Sequence, residues 1–156
     1  MELINISNTQ ENLSENFTMQ EFFAPTLTKP GKEFNIPKCL IDSIQHLRTS
    51  WNIPIEITSV YRPADTFGYH MSGNAVDFIT YNEPLGYIDK FKTMCINHKT
   101  SQLFKELRAL GLNGFGIEGS CIHIDFRPDN NCNLSDEYGK FCIFTWSEKE
   151  GSKLIW

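Results

Sequence analysis

The chain is poor in the features that mark easily assigned classes of protein. No apolar run approaches the roughly 20 residues that a bilayer span requires, so no membrane span is expected. The N-terminus, Met1-Glu2-Leu3-Ile4-Asn5, has neither a basic stretch nor an apolar one behind it. A cleaved secretion leader is therefore not expected. Synthesis in the cytoplasm follows, and work outside the producing cell calls for lysis or another non-classical route. Basic residues are the minority: 14 Lys and Arg stand against 19 Asp and Glu, a net charge of −5. Phosphate binding wants clustered cations, so nucleic acid is not the expected partner. The cysteines, at positions 39, 95, 121, 132 and 142, contain no C-x-x-C pair, which excludes a zinc ribbon and a disulfide scaffold. Cys39 and Cys95 fall in helical patterns, as small core residues do. Cys132 and Cys142 bracket a possible hairpin; a cross-link is open to them, but reduced thiols suit a chain without a leader. There is no internal repeat and no low-complexity tract.

What is present is an ordinary globular composition, 40% hydrophobic and 21% charged over 156 residues. That length suffices to bury a core. Residues 1–16 are polar without a sustained period and read as a flexible arm, leaving a single, monomeric domain over 17–156. Thr18-Met19-Gln20-Glu21 is a capping box, flanked by Phe17 and Phe22 as a staple, and opens a short helix that Pro25 halts. Residues 24–36 read as loop. Pro37 suits a first helical position, and Leu40, Ile44, Leu47 and Trp51 recur at helical spacing over a helix from 37 to 50. Residues 53–62 alternate as a strand, with Ile53, Ile55 and Ile57 on one face and Glu56, Thr58 and Arg62 on the other. A strand over 75–80, helices over 84–97 and 101–110 ended by Gly111, a hairpin over 114–127 and a strand over 141–146 complete the order. Trp146 and Trp156 are candidates to close the core. Without regular βαβ spacing, the expected class is α+β, a small, mostly antiparallel sheet with helices packed on one face.

Chemistry concentrates in two stretches. Tyr69-His70-Met71-Ser72-Gly73-Asn74-Ala75-Val76-Asp77-Phe78 reads H-x-x-G-x-A-x-D, and Cys121-Ile122-His123-Ile124-Asp125-Phe126-Arg127 alternates around a second histidine. In the first strand Val76 and Phe78 share a face opposite Asp77; in the second Ile122, Ile124 and Phe126 lie opposite His123, Asp125 and Arg127. If the two strands are neighbours, Asp77 and His123 share a surface, and His70 overhangs it from a turn that Gly73 permits. Three N, O and N ligands with a position left for water is the catalytic zinc pattern. An Asp inside an apolar strand also needs a charged or hydrogen-bonding partner. His46 and His98 sit on or just after helices and read as ordinary.

The order Thr58-Ser59-Val60-Tyr61-Arg62, then His70 to Asp77, then Ile122 to Arg127 resembles the zinc D-Ala-D-Ala carboxypeptidase and L-Ala-D-Glu endopeptidase family. That family includes phage endolysins and vancomycin-resistance dipeptidases and shares its fold with the Hedgehog signalling domain. The likeness spans 16–128, including Asn16 to Phe22 and the helix from Pro37. It implies His70, Asp77 and His123 as zinc ligands and Arg62 as the group that holds the substrate carboxylate or polarises the scissile carbonyl. Ser59 and Tyr61 are further substrate-binding candidates beside it. The implied activity is zinc-assisted hydrolysis of a D-amino-acid-containing peptide, with the peptidoglycan stem peptide as partner. A zinc-stabilised binding module without turnover is the alternative on the same fold.

Two departures from the family pattern are legible. Relatives often carry an acid or histidine three positions before the last ligand, where this chain has Ser120. Glu118 is the nearest upstream carboxylate and the candidate base; a solvated turn acid is the other reading. Asp125 is assigned to orienting an imidazole. The connection from Arg62 to His70 is also short, with Gly68 where relatives show a serine.

Overall fold

The computed structural model of the chain describes residues 1–24, 33–65, 68–81, 84–128, 131–147 and 151–154. Its first strand, β1 (Leu3–Ile6), lies in the segment expected to be a flexible arm, and that expectation is corrected. β1 pairs antiparallel with β2 (Phe34–Pro37), inside the stretch read as loop. Four residues are too few to establish a period, and the partner is about 30 positions away, so neither strand is visible locally. Burial supplies the reason they form: Ile6 and Ile36 are both fully covered. Between them α1 (Met19–Phe23) starts at the expected capping box, where the Glu21 carboxylate accepts from the Thr18 amide at 2.7 Å. The Phe17 and Phe22 rings meet edge-on at 6.0 Å, as the staple requires. Pro25 lies outside the described residues.

The second helix, α2 (Lys38–Trp51), follows Pro37, which is its cap rather than its first turn, and ends at Asn52 in the left-handed region. Leu40, Ile44 and Leu47 are buried along one side. Strand β3 is shorter than the alternation suggested, Ile55–Ser59. A 3₁₀ turn over Tyr69–Ser72 precedes β4 (Ala75–Thr80). Next come α3 (Pro84–Ile96), α4 (Gln102–Ala109) and the hairpin β5 (Gly114–Glu118) with β6 (Cys121–Asp125). The last three strands are β7 (Leu134–Asp136), β8 (Gly139–Ser147) and β9 (Gly151–Leu154).

Apart from β1 and β2, these strands form one seven-stranded sheet in the order β3-β4-β6-β5-β8-β7, with β9 also on β8. Every pairing is antiparallel except β5 with β8, so the class is α+β and mostly antiparallel with one parallel join. One face is apolar: Val76, Phe78, Phe115, Ile122 and Ile124 join Leu40, Ile44 and Leu47 in the core. Phe91 of α3 and Phe104 of α4 meet the Phe115 ring at centroid distances of 6.4 and 4.4 Å. The opposite face of the central strands carries the polar residues. Among the described residues, no helix is long and apolar enough to cross a membrane. All five cysteines are free thiols. Trp156 lies outside the described residues.

Candidate metal centre

Three donors reach one point from separate pieces of chain. β4 and β6 pair so that Asp77 lies directly opposite His123, and opposite residues of an antiparallel pair share a face. His70 arrives from the 3₁₀ turn. That turn closes on Gly73 at φ +74, where a side chain would also strike the Asn35 carbonyl oxygen of β2. Glycine is needed there twice over, for the backbone angle and for the close approach. On the other side a bulge re-aims β3. Ile57 pairs with Phe78, yet Ser59 pairs with Asp77, so two residues of β3 oppose one step of β4. Beyond the bulge, Val60 presents its carbonyl to His70.

Both imidazoles are fixed from outside. His70 Nδ1 donates to the Val60 carbonyl at 2.6 Å. A carbonyl only accepts, so Nδ1 carries a hydrogen, and Nε2 faces inward. His123 has Asp125 Oδ2 at 3.0 Å from Nε2 and Asp77 Oδ1 at 2.7 Å from Nδ1. Asp77 Oδ1 is also 3.1 Å from His70 Nε2. The angle of that last approach makes no hydrogen bond, and His70 Nε2 is a buried nitrogen without a hydrogen-bond partner. Such an atom is costly to bury unless a cation meets it.

The ligating atoms of His70, Asp77 and His123 lie within 4.8 Å of one another, and all three residues are buried. Tetrahedral bonds of about 2.0–2.1 Å hold donors about 3.3 Å apart, so only small adjustments separate this cluster from a coordination shell. The residues fit a metal ion by donor type, by proximity and by the orphaned His70 nitrogen. Among the described residues this is the one cluster of its kind.

Comparison with protein-family models, with curated proteins and with solved structures found no match. Function must therefore be read from the geometry.

Electrostatics agree with a site built for positive charge. Burial alone would raise the Asp77 carboxyl; His123 and then His70 outweigh it and hold the group well below the usual carboxylate range. Burial presses the His123 imidazole down, but the Asp125 and Asp77 carboxylates overcome it and carry the pKa to about 10. The same carboxylates that favour a proton on His123 would favour a metal cation.

The other anticipated residues divide. Glu118 Oε1 is 3.6 Å from His123 Nδ1 on the partly exposed rim. Its pKa is raised, first by burial and also by the Asp77 charge. Arg62 Nη2 stands 4.0 Å from Asp77 Oδ2, while its Nε pairs with Asp65 at 3.2 Å. Ser59 is on the site's face through its pairing with Asp77. Tyr61 instead stacks on Phe34 at 5.0 Å, in contact with the core. His46 pairs with Glu106 at 2.7 Å and His98 Nδ1 donates to the Cys95 carbonyl at 3.1 Å, both remote in role from the cluster.

Three contributors escape sequence reasoning. Gly114 and Gly116 lie opposite Asp125 and His123. A side chain on Gly114 would be driven into the Asp125 carboxylate, and one on Gly116 would come within 2.6 Å of the Phe144 ring. Phe144 itself stands edge-on to His123 at 5.4 Å. The Gly114-Phe115-Gly116 alternation carries a signal, small residues on one face; Phe144 carries none, because its strand joins by the parallel pairing.

Proposed function

We propose that the chain is a zinc-dependent peptidase that hydrolyses a D-amino-acid-containing peptide bond, in bacterial peptidoglycan, as a carboxypeptidase or endopeptidase. The observation that carries this reading is the convergence of His70, Asp77 and His123 with the Glu118 carboxylate beside them. The motif likeness to the zinc carboxypeptidases and endopeptidases that share the Hedgehog fold supports the substrate class, and the α+β, mostly antiparallel sheet is compatible with it.

Zinc, when bound, activates water and polarises the scissile carbonyl. The chain's own residues supply the rest. His70 and His123 direct lone pairs inward because their outer nitrogens are engaged by Val60 and Asp125. Glu118 is the proton carrier: its raised pKa suits a carboxylate that takes a proton and returns it to the leaving nitrogen. Arg62 presents a guanidinium at the same rim, 30% exposed, for the carboxylate of a short peptide. The apolar face of β4 and β6 packs the floor of the site on the core.

The test is metal content with turnover. Purified protein should hold one zinc per chain, and His70→Ala should hold none, by elemental analysis. Muropeptides should be hydrolysed, and Glu118→Gln should lower kcat by about 10²–10⁴-fold while keeping its zinc. Zinc without hydrolysis of any muropeptide would replace this reading with a binding module on the same fold; no zinc would remove both.

A further inference from the structure

We propose that Arg127, acting through Asp125, is a positioning residue that sets both imidazoles of the metal centre at once. The inference rests on the metal reading above. Asp125 is fully buried, and a carboxylate so placed must have its lone pairs answered. Arg127 answers two of them in a forked contact, Nε to Oδ1 at 2.7 Å and Nη2 to Oδ2 at 2.8 Å. His123 Nε2 takes the third at 3.0 Å. Asp125 never reaches the point where the donors converge; it touches only the far side of the ring. Its effect is to decide which nitrogen of His123 carries the hydrogen and which way the ring faces.

The carboxylate has room to do this because its neighbours across both pairings are Ala75 and Gly114. Space on that face is reserved for it. The chain that carries Arg127 is also held on two sides. The Phe126 amide donates to the Asn74 carbonyl at 2.8 Å. Buried Asn113 brackets the Arg127 backbone, accepting from its amide at 2.7 Å and donating to its carbonyl at 3.1 Å.

The guanidinium then does a second thing. It lies against two rings, 4.7 Å from the centroid of Tyr69 and 4.9 Å from that of Phe144. Tyr69 is the residue before His70 and opens its 3₁₀ turn. Phe144 packs on His123. One side chain thereby touches the neighbour of the first ligand, the carboxylate behind the second and the ring beside the second. A point charge on a flexible stem cannot reproduce a fork and two stacked faces together, so lysine is a poor substitute.

The experiment measures zinc affinity by chelator competition on the full chain, with the visible spectrum of the cobalt-loaded protein alongside. Arg127→Met and Asp125→Asn should raise the zinc dissociation constant roughly 10–100-fold, the usual cost of losing such a partner, and shift the cobalt bands. Arg127→Lys should fall between these variants and the wild type. Arg108→Lys, at a second buried arginine–carboxylate pair, should leave the constant within about twofold, since distant sites act independently. If Arg127→Met does not fold, Tyr69→Leu removes a stacked ring while keeping every charge and should weaken zinc several-fold. Unchanged affinity and cobalt bands in the Arg127 and Asp125 variants that fold, or in Tyr69→Leu and Arg127→Lys together, overturn the inference. Equal weakening in Arg108→Lys overturns it too, because general loosening then explains the loss. A wild-type chain that binds no zinc overturns the inference and the peptidase reading together, whereas zinc bound equally by all variants overturns the inference alone.

Discussion

Two arginine–aspartate pairs in this molecule are nearly the same object in different surroundings. Arg127 holds Asp125 by contacts of 2.7 and 2.8 Å, and Arg108 holds Asp136 by two contacts of 2.9 Å. Both guanidiniums lie on a phenylalanine of β8, Phe144 at 4.9 Å and Phe141 at 5.0 Å. What differs is the remaining lone pair. Asp136 turns its own to the Tyr138 amide at 2.9 Å, inside the β7–β8 hairpin. Arg108 adds donations to the Leu112, Gly139 and Lys140 carbonyls, so the assembly ties α4 to that hairpin. Asp125 turns its lone pair to an imidazole. A bidentate pair is a fastener in one place and an aiming device in the other, and only the third partner tells them apart.

The comparison can be broken at either end. The largest expected effect is on the fastener: Arg108→Met leaves a carboxylate and three carbonyls unanswered and should cost about 3 kcal/mol of stability in urea titration. Zinc affinity, corrected for the unfolded fraction, should not move. If zinc affinity falls with it, the two pairs are not separate in function. Next is Gly114→Ala, which crowds the Asp125 carboxylate. It should cost about 1–3 kcal/mol, as overpacked cores do, but here with a clear loss of zinc. Zinc binding as in the wild type would show that the Asp125 position is not critical.

The smallest effect is a difference in sign with pH, read as the denaturation midpoint of chelator-treated protein. His123 has a folded-state pKa of about 10, above its ordinary 6.5. Its stabilising contribution is complete below pH 6.5 and is lost as pH rises toward 10. Burial alone would raise the Asp136 carboxyl, but Arg108 outweighs it and holds the group below its ordinary 3.8. Its contribution is complete above that value and is lost as pH falls. The alkaline decline should disappear in His123→Ala while the acid decline stays. An alkaline decline of undiminished size in that variant would show that His123 is not its source.

Much of the centre is legible in the sequence because it depends on local periods. Alternation in 75–80 and 121–127 puts Asp77 and His123 each on the polar side of its own strand, so that they share a face once the two strands pair, and Gly73 marks the turn that brings His70 over them. The remainder depends on which strands meet, and a period of two does not encode a partner. That is why β1 passes for a loose arm although Ile6 is buried, and why Phe144 goes unassigned. Ser59 is misplaced by another route. The bulge between Ile57 and Ser59 shifts the register of β3 and sets Ser59 opposite Asp77, whereas an alternation count carried on from Ile57 leaves it on the apolar side. Arg127 is on the right face by alternation alone, but its Tyr69 contact joins two stretches that no spacing rule connects.

The parallel join of β5 to β8 also sets an order of assembly. β5 and β6 are linked by a tight turn and can pair as soon as both exist, whereas β8 must return across the intervening chain before it lies beside β5. Phe144 travels with β8, so the ring behind His123 and under Arg127 is installed after the ligands themselves have been synthesised. A chain still being made, with His70, Asp77 and His123 already emerged but β8 not yet released, has its donors without their final aim. The final aim of the three donors thus depends on a strand that follows all of them in the chain and joins the sheet across a long connection.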